Sequence, residues 1–193
     1  MRGWRERERE RMEKAESTKI LANLLRTAPY TFYVASLSCG LVFPESRGLS
    51  LFYALLFCEL SNHLMKHVLK RVLGVKYTAR PKGAMDCGIY PQHNPKLSLS
   101  SGLPSGHSQT AGFLFAMMMR HIQERLKPEE QLVPTIFVSL FAFLIVLSRT
   151  KYGGTMISIS VRGNVPGCHT IFQVFMGFLI GIVLGYIVFP FVF

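Results

Sequence analysis

The sequence predicts an all-α fold, a polytopic transmembrane helical bundle of about five spans. Three observations carry this. Nearly half of the 193 residues are apolar, and Phe alone occurs 15 times. Charge collects at the N-terminus and in two loops instead of spreading along the chain as in a soluble domain. Long apolar runs separate those charged zones, as membrane segments do.

Residues 1–27 read as a charged N-terminal tail and interfacial segment, and residues 28–193 as the transmembrane domain. Arg, Glu and Lys dominate to Lys19; Ile20, Leu21, Leu24 and Leu25 then share one helical face suited to the membrane interface. No secretory signal pattern opens the chain, so the first apolar helix is expected to serve as the insertion signal. That helix runs from Ala28 to Phe43, with Thr27 placed to cap it, Pro29 in its first turn and Pro44 closing it. A second runs from Leu49 to Leu73, apolar at its start and basic at its end. A third runs from His107 to Ile122, and an almost purely apolar fourth from Pro134 to Ser148. The fifth begins at Thr170 and is long enough at ~1.5 Å per residue to cross a core of about 30 Å. On it Gly177, Gly181 and Gly185 recur every four residues, a stripe suited to close helix packing.

The net charge is +11. Such an excess suits nucleic acid, an anionic membrane or an anionic substrate. With no zinc-finger spacing and no basic recognition helix, the apolar runs favour lipid headgroups and phosphate, and no nucleic acid is expected as a partner. Eighteen of the 22 Lys and Arg fall on the side shared by the N-terminus and the two large loops, the cytoplasmic side by the positive-inside rule. Of the four cysteines, Cys39 and Cys58 lie within apolar runs. Cys87 and Cys168 lie in loops beside the proposed site and are candidates for a disulfide. No CxxC pair is present, and His63 and His67, at metal-ligand spacing, more readily line a helix face; no metal or cofactor is expected.

Three clusters fall on one side of the membrane. Arg80-Pro81 follows Lys66 and Lys70 of the second helix. Pro104-Ser105-Gly106-His107 opens the third. Ser148-Arg149 ends the fourth, and Cys168-His169 opens the fifth. A phosphoryl group spreads charge over three oxygens, and the guanidinium fork matches two of them, so Arg80 and Arg149 suit a clamp. A helix start such as Ser105-Gly106 supplies backbone donors, and Gly lets the backbone approach. Two histidines at separate helix starts can divide the work of nucleophile and acid.

These clusters, in this order, resemble the type 2 phosphatidic acid phosphatase superfamily, integral-membrane lipid phosphatases related to vanadium haloperoxidases. The resemblance covers about residues 50–185 and implies a haloperoxidase-like helical core. It implies phosphate binding by Arg80, Arg149 and a lysine, with help from Ser105 and Gly106. It also implies His107 as general acid and His169 as the nucleophile that becomes phosphohistidine, without a metal.

The pattern departs from that family at three places. Leu73 stands where the family lysine would precede Arg80, leaving Lys66, Lys70 or Lys76, of which Lys70 is favoured. Nineteen residues separate Arg149 from His169 where the family has five, so 150–166 reads as an inserted loop. The family aspartate is Gln173, whose carbonyl could accept the imidazole N–H without bringing charge. The dolichyl diphosphate phosphatase branch is similar here, in His169-Thr170, in Gln173 and in the phrase from Asn62 to His67. The expectation is a multi-pass endomembrane enzyme cleaving a polyprenyl diphosphate, with membrane lipids as neighbours. A phosphatidate or sphingoid-phosphate phosphatase, and an inactive lipid-phosphate-binding relative, stay open.

Overall fold

A computed structural model describes residues 24–25, 27–81, 84, 101–150 and 168–193, together with Glu10 and Ile20. Most of the expected tail, the loop carrying Asp86, Cys87 and His93, and the inserted segment after Thr150 lie outside the described residues. Among the described residues the architecture is helical, with two isolated bridges in place of strands.

Helix α1 covers residues 27–42. It is followed by α2 (Gly48–Leu73), a four-residue α3 (Val75–Thr78), α4 (Gly106–Arg125), α5 (Leu132–Ser148) and α6 (Ile171–Val192). Leu24 and Leu25 are already helical, so Thr27 does not cap α1. Its hydroxyl donates back to the Leu24 carbonyl, the bond a Thr makes within a helix. Gly74, with φ 78°, ends α2 and turns the chain. That left-handed conformation suits a residue without a Cβ.

The centre of the bundle is the seam between α4 and α6, the most extensively packed helix pair. The glycine stripe makes it. A Cβ added at Gly177 would lie 2.5 Å from the Ser105 carbonyl oxygen, and one at Gly185 would lie 2.6 Å from that of Phe113. At Gly181 it would collide with the Gln109 carbonyl. Glycine is thus required here for close approach, and it brings the starts of α4 and α6 side by side. Phe113, Met117, Leu55, Cys58, Phe189 and Val192 bury the apolar core beside the seam, with α1 residues Phe32 and Tyr33 packed against it.

The outer surface is strongly apolar. Val133, Phe137, Leu140 and Phe143 of α5, and Phe172, Phe175, Val183 and Phe191 of α6, are exposed. Among the described residues α6 is the helix long and apolar enough by itself to cross a membrane; α5 is apolar but shorter.

Candidate active site

Three chain segments meet at the end of the bundle where α4 and α6 begin. Beyond α3 the chain runs extended through Ala79-Arg80-Pro81. Ala79 forms an antiparallel bridge with Ser101, and the Gly102 N–H donates to the Thr78 carbonyl at 2.7 Å. Gln173 of α6 donates its Nε2 to the Ala79 carbonyl at 2.8 Å. The backbone just before Arg80 is therefore fixed by two other segments.

His169 lies just before α6 and is 4 % exposed. Thr150 pairs with it in a parallel bridge, so the chain returns beside Arg149 after the inserted segment. Thr170 is the N-cap of α6: its hydroxyl accepts from the Gln173 N–H, while Gln173 Oε1 accepts from the Thr170 N–H. This reciprocal capping box closes the helix start.

The imidazole has one partner on each nitrogen. Nδ1 is 2.9 Å from the Gly102 carbonyl oxygen, which can only accept, so Nδ1 carries the proton and donates. Nε2 then holds the lone pair and accepts from Arg80 Nη1 at 3.2 Å. The hydrogen-bond network assigns this tautomer. Burial pushes the His169 pKa well below its ordinary value, and Arg80, Arg149, Lys66 and His107 press the same way. The ring is thus held neutral with Nε2 toward the cations. Burial also lowers the pKa of Arg80, but a guanidinium keeps its charge at neutral pH.

His169 and the cations border a cavity of about 160 Å³ lined by Lys66, Arg80, Gly106, His107, Thr110 and His169 on the polar side. Pro29, Tyr30, Tyr33 and Glu59 complete the wall. The Tyr30 ring meets the His107 ring edge-on at 6.0 Å. Gly106 and His107 open α4, whose N-cap, Ser105, makes no capping bond through its side chain. An anion in the cavity would face an uncapped helix start, two histidines and two cationic side chains, the equipment for binding and transferring a phosphoryl group. Among the described residues no three His, Cys, Asp or Glu side chains converge as metal ligands do.

Residues 47–154 match the PAP2 superfamily. The chain belongs to that superfamily. The match takes in Glu59, Lys66, Arg80, Gly106, His107 and Thr110 of the cavity wall, while Pro29, Tyr30, Tyr33 and His169 lie outside it. The chain is also 28 % identical over 150 residues to Dolichyldiphosphatase 1 of Dictyostelium discoideum, covering 74 % of this chain and 51 % of the relative. It therefore spans about half the length of the curated relative it matches. No solved structure matches it significantly.

The geometry places four residues differently from the sequence expectation. The imidazole N–H is held by the Gly102 carbonyl, and Gln173 instead ties the α6 cap to the Arg80 segment. The one imidazole N–H is already given to Gly102, so it is not available to Gln173. The lysine at the cavity is Lys66; Lys70 is exposed one turn further along α2, roughly 6 Å up the axis. Ser105 is fully buried behind the cavity: its hydroxyl accepts from Ser108 and its N–H donates to the Gln173 carbonyl. Arg149 is buried beside His169 but does not line the cavity.

Sequence reasoning missed Glu59, Tyr30, Tyr33, Thr110 and Gly102. Glu59, Asn62 and Lys66 stand at i, i+3 and i+7 on one face of α2, and that polar stripe was the available signal. His63, read as a face-lining residue, pairs with Glu59 at 3.2 Å. Gly102 acts through its carbonyl, for which no side-chain signal exists.

Proposed function

We propose that this PAP2-superfamily chain is an integral-membrane lipid phosphatase that hydrolyses a polyprenyl diphosphate through a phosphohistidine on His169. One observation carries the reading: Nδ1–H is bound to the Gly102 carbonyl, so Nε2 turns its lone pair into the cationic cavity. The name of the Dictyostelium relative favours the diphosphate substrate.

In the first step His169 Nε2 attacks the terminal phosphorus and the bond to the bridging oxygen breaks. Arg80 and Lys66 balance the charge on the equatorial oxygens, Arg149 adds positive charge from beside His169, and the open start of α4 at Gly106 donates to the oxygens. His107 gives its proton to the leaving lipid phosphate. In the second step His107, now neutral, takes a proton from water as the water attacks the phosphohistidine, releasing phosphate and restoring both rings. The Gly102 carbonyl holds Nδ1–H throughout and shares the positive charge that builds on the ring.

The exposed Phe, Leu and Val of the outer surface support a multi-pass chain, with α1, α2, α4, α5 and α6 as spans and the site at one membrane face. Cys168 is disulfide-bonded, whereas Cys39 and Cys58 are free. A disulfide beside the nucleophile favours an oxidising compartment, such as an ER-like lumen, for that face. This outweighs the count of Lys and Arg, because cations kept for a phosphate, as proposed for Lys66 and Arg80, carry no information on orientation.

The test is phosphate release in detergent with EDTA, comparing a short-chain polyprenyl diphosphate with a diacyl phosphate and a sphingoid phosphate. The diphosphate is expected to be cleaved best. Turnover should fall by about 10⁴-fold or more in His169→Ala, as for loss of a nucleophile. Retained turnover in His169→Ala ends the phosphohistidine proposal. Preference for a monophosphate replaces the substrate, and binding without turnover of any of the three makes the chain an inactive lipid-phosphate binder.

A further inference from the structure

Behind the cavity runs a short polar chain inside the apolar core. Gln109 of α4 donates its Nε2 to the Cys58 carbonyl of α2 at 3.1 Å. That bond fixes the orientation of the Gln109 amide, so its Oε1 must accept. Asn62 of α2 supplies the donor, Nδ2, at 2.8 Å. The orientation of the Asn62 amide follows in turn, and its Oδ1 is the atom left over. Asn62 is 1 % exposed, and Oδ1 is buried and accepts no hydrogen bond among the described residues. A buried carbonyl oxygen without a donor is costly, so one left in this position calls for a donor that arrives.

Among the described residues a strong donor, the Lys66 ammonium, borders the same spot. A Cβ on Gly106 would stand 3.3 Å from Asn62 Oδ1 and 3.8 Å from Lys66 Nζ. The absent side chain of Gly106 is what keeps the oxygen and the ammonium on one open gap. Lys66 follows Asn62 by one helical turn, on the same face. Among the described residues no carboxylate lies within ion-pair distance of its ammonium. An ammonium has three donors on a flexible stem, so it can give one to an amide oxygen and two to a phosphoryl group.

We infer that Asn62 is a positioning residue: its Oδ1 receives one Lys66 N–H when phosphate enters, and so aims the other two at the phosphoryl oxygens. The inference rests on the proposed phosphatase reading and deepens it. Gln109 is the brace. By holding Nδ2, it keeps the amide oxygen, and not the amide nitrogen, toward a cation that an NH₂ group would repel.

The experiment is a double-mutant cycle on the detergent-purified full chain, read by inhibition with inorganic vanadate and by turnover of the polyprenyl diphosphate. Asn62→Ala is expected to weaken vanadate roughly tenfold when Lys66 is present, the size of one charge-assisted hydrogen bond. In the Lys66→Ala background the same change should alter affinity by less than about twofold. Should Asn62→Ala fail to fold, Asn62→Asp keeps an oxygen at the gap; it should hold vanadate near the parent affinity with Lys66 and lose it sharply in Lys66→Ala. Equal losses in both Lys66 backgrounds would make Asn62 a purely structural link and overturn the inference while leaving the phosphatase standing. If the unaltered chain neither binds vanadate nor turns over substrate, both readings fall together.

Discussion

The two histidines open two helices at the same end of the bundle, and the two openings are built differently. At α6 the start is closed: Thr170 and Gln173 cap one another, Gln173 also grips the Ala79 carbonyl, and His169 is buried with a partner on each ring nitrogen. At α4 the start is open: Ser105 offers no side-chain cap, and Gly106 and half-buried His107 line the cavity. A nucleophile must be held at one angle and in one tautomer, which a closed start provides. A phosphate needs backbone donors that nothing else has taken, which an open start leaves. On the proposed function this difference suits His169 to attack, α4 to anion binding and His107 to proton transfer.

This contrast can be broken at several points. The largest effect is expected from His107→Ala, which should slow cleavage of the polyprenyl diphosphate by about 10²–10⁴-fold. A substrate with an activated aryl leaving group needs no proton and should lose far less; an equal loss on both would remove His107 from the acid role. Next comes the seam that sets the two starts side by side. Gly181→Val should destabilise by about 1–3 kcal/mol, seen as a lower melting temperature in detergent, because a side chain there meets the Gln109 carbonyl. A variant as stable as the parent would mean the helices are not apposed this closely.

The third prediction concerns pH. Burial, then Arg80, holds the His169 pKa below 6.5, so the ring is neutral and competent at neutral pH. As pH falls the ring protonates only once that lowered pKa is reached, so the acid limb of kcat/KM should lie below 6.5. Arg80→Gln removes the strongest of the neighbouring charges and should move that limb upward toward 6.5, apart from any loss in rate. A profile over about pH 5 to 8 that does not move would sink the assignment of this limb to His169. The smallest effect is expected from Thr170→Ala, which should cost roughly 1 kcal/mol through loss of the cap. It should also lower kcat more than it raises KM, since the nucleophile and not the phosphate site is loosened; the reverse split would argue that α6 serves binding.

The positions of the helices were legible from the chain. Apolar run length and bounding Pro, Gly and basic residues place α2, α4, α5 and α6 within a few residues of where they lie. The start of α1 was not, because Thr27 looks like a cap in isolation while helical residues precede it. Arg80, Arg149, His107 and His169 could be singled out because side-chain chemistry and helix-end position are local properties. The lysine could not: Lys66 and Lys70 are one turn apart with the same chemistry, and only the height of α2 against α4 decides between them.

What the sequence determined by itself is the set of parts: apolar helices, a glycine stripe, and cations and histidines gathered at their ends. Each follows from period, composition and residue chemistry, which are written along the chain. What only the tertiary structure decided is who meets whom. The Gly102 carbonyl accepts the imidazole N–H bond, Gln173 becomes a tie instead of a ring partner, and Thr150 returns to His169 across the inserted segment. Those pairings use backbone carbonyls and long-range contacts. A backbone carbonyl is the same in every residue, so no sequence can mark the one that a fold will bring to a histidine.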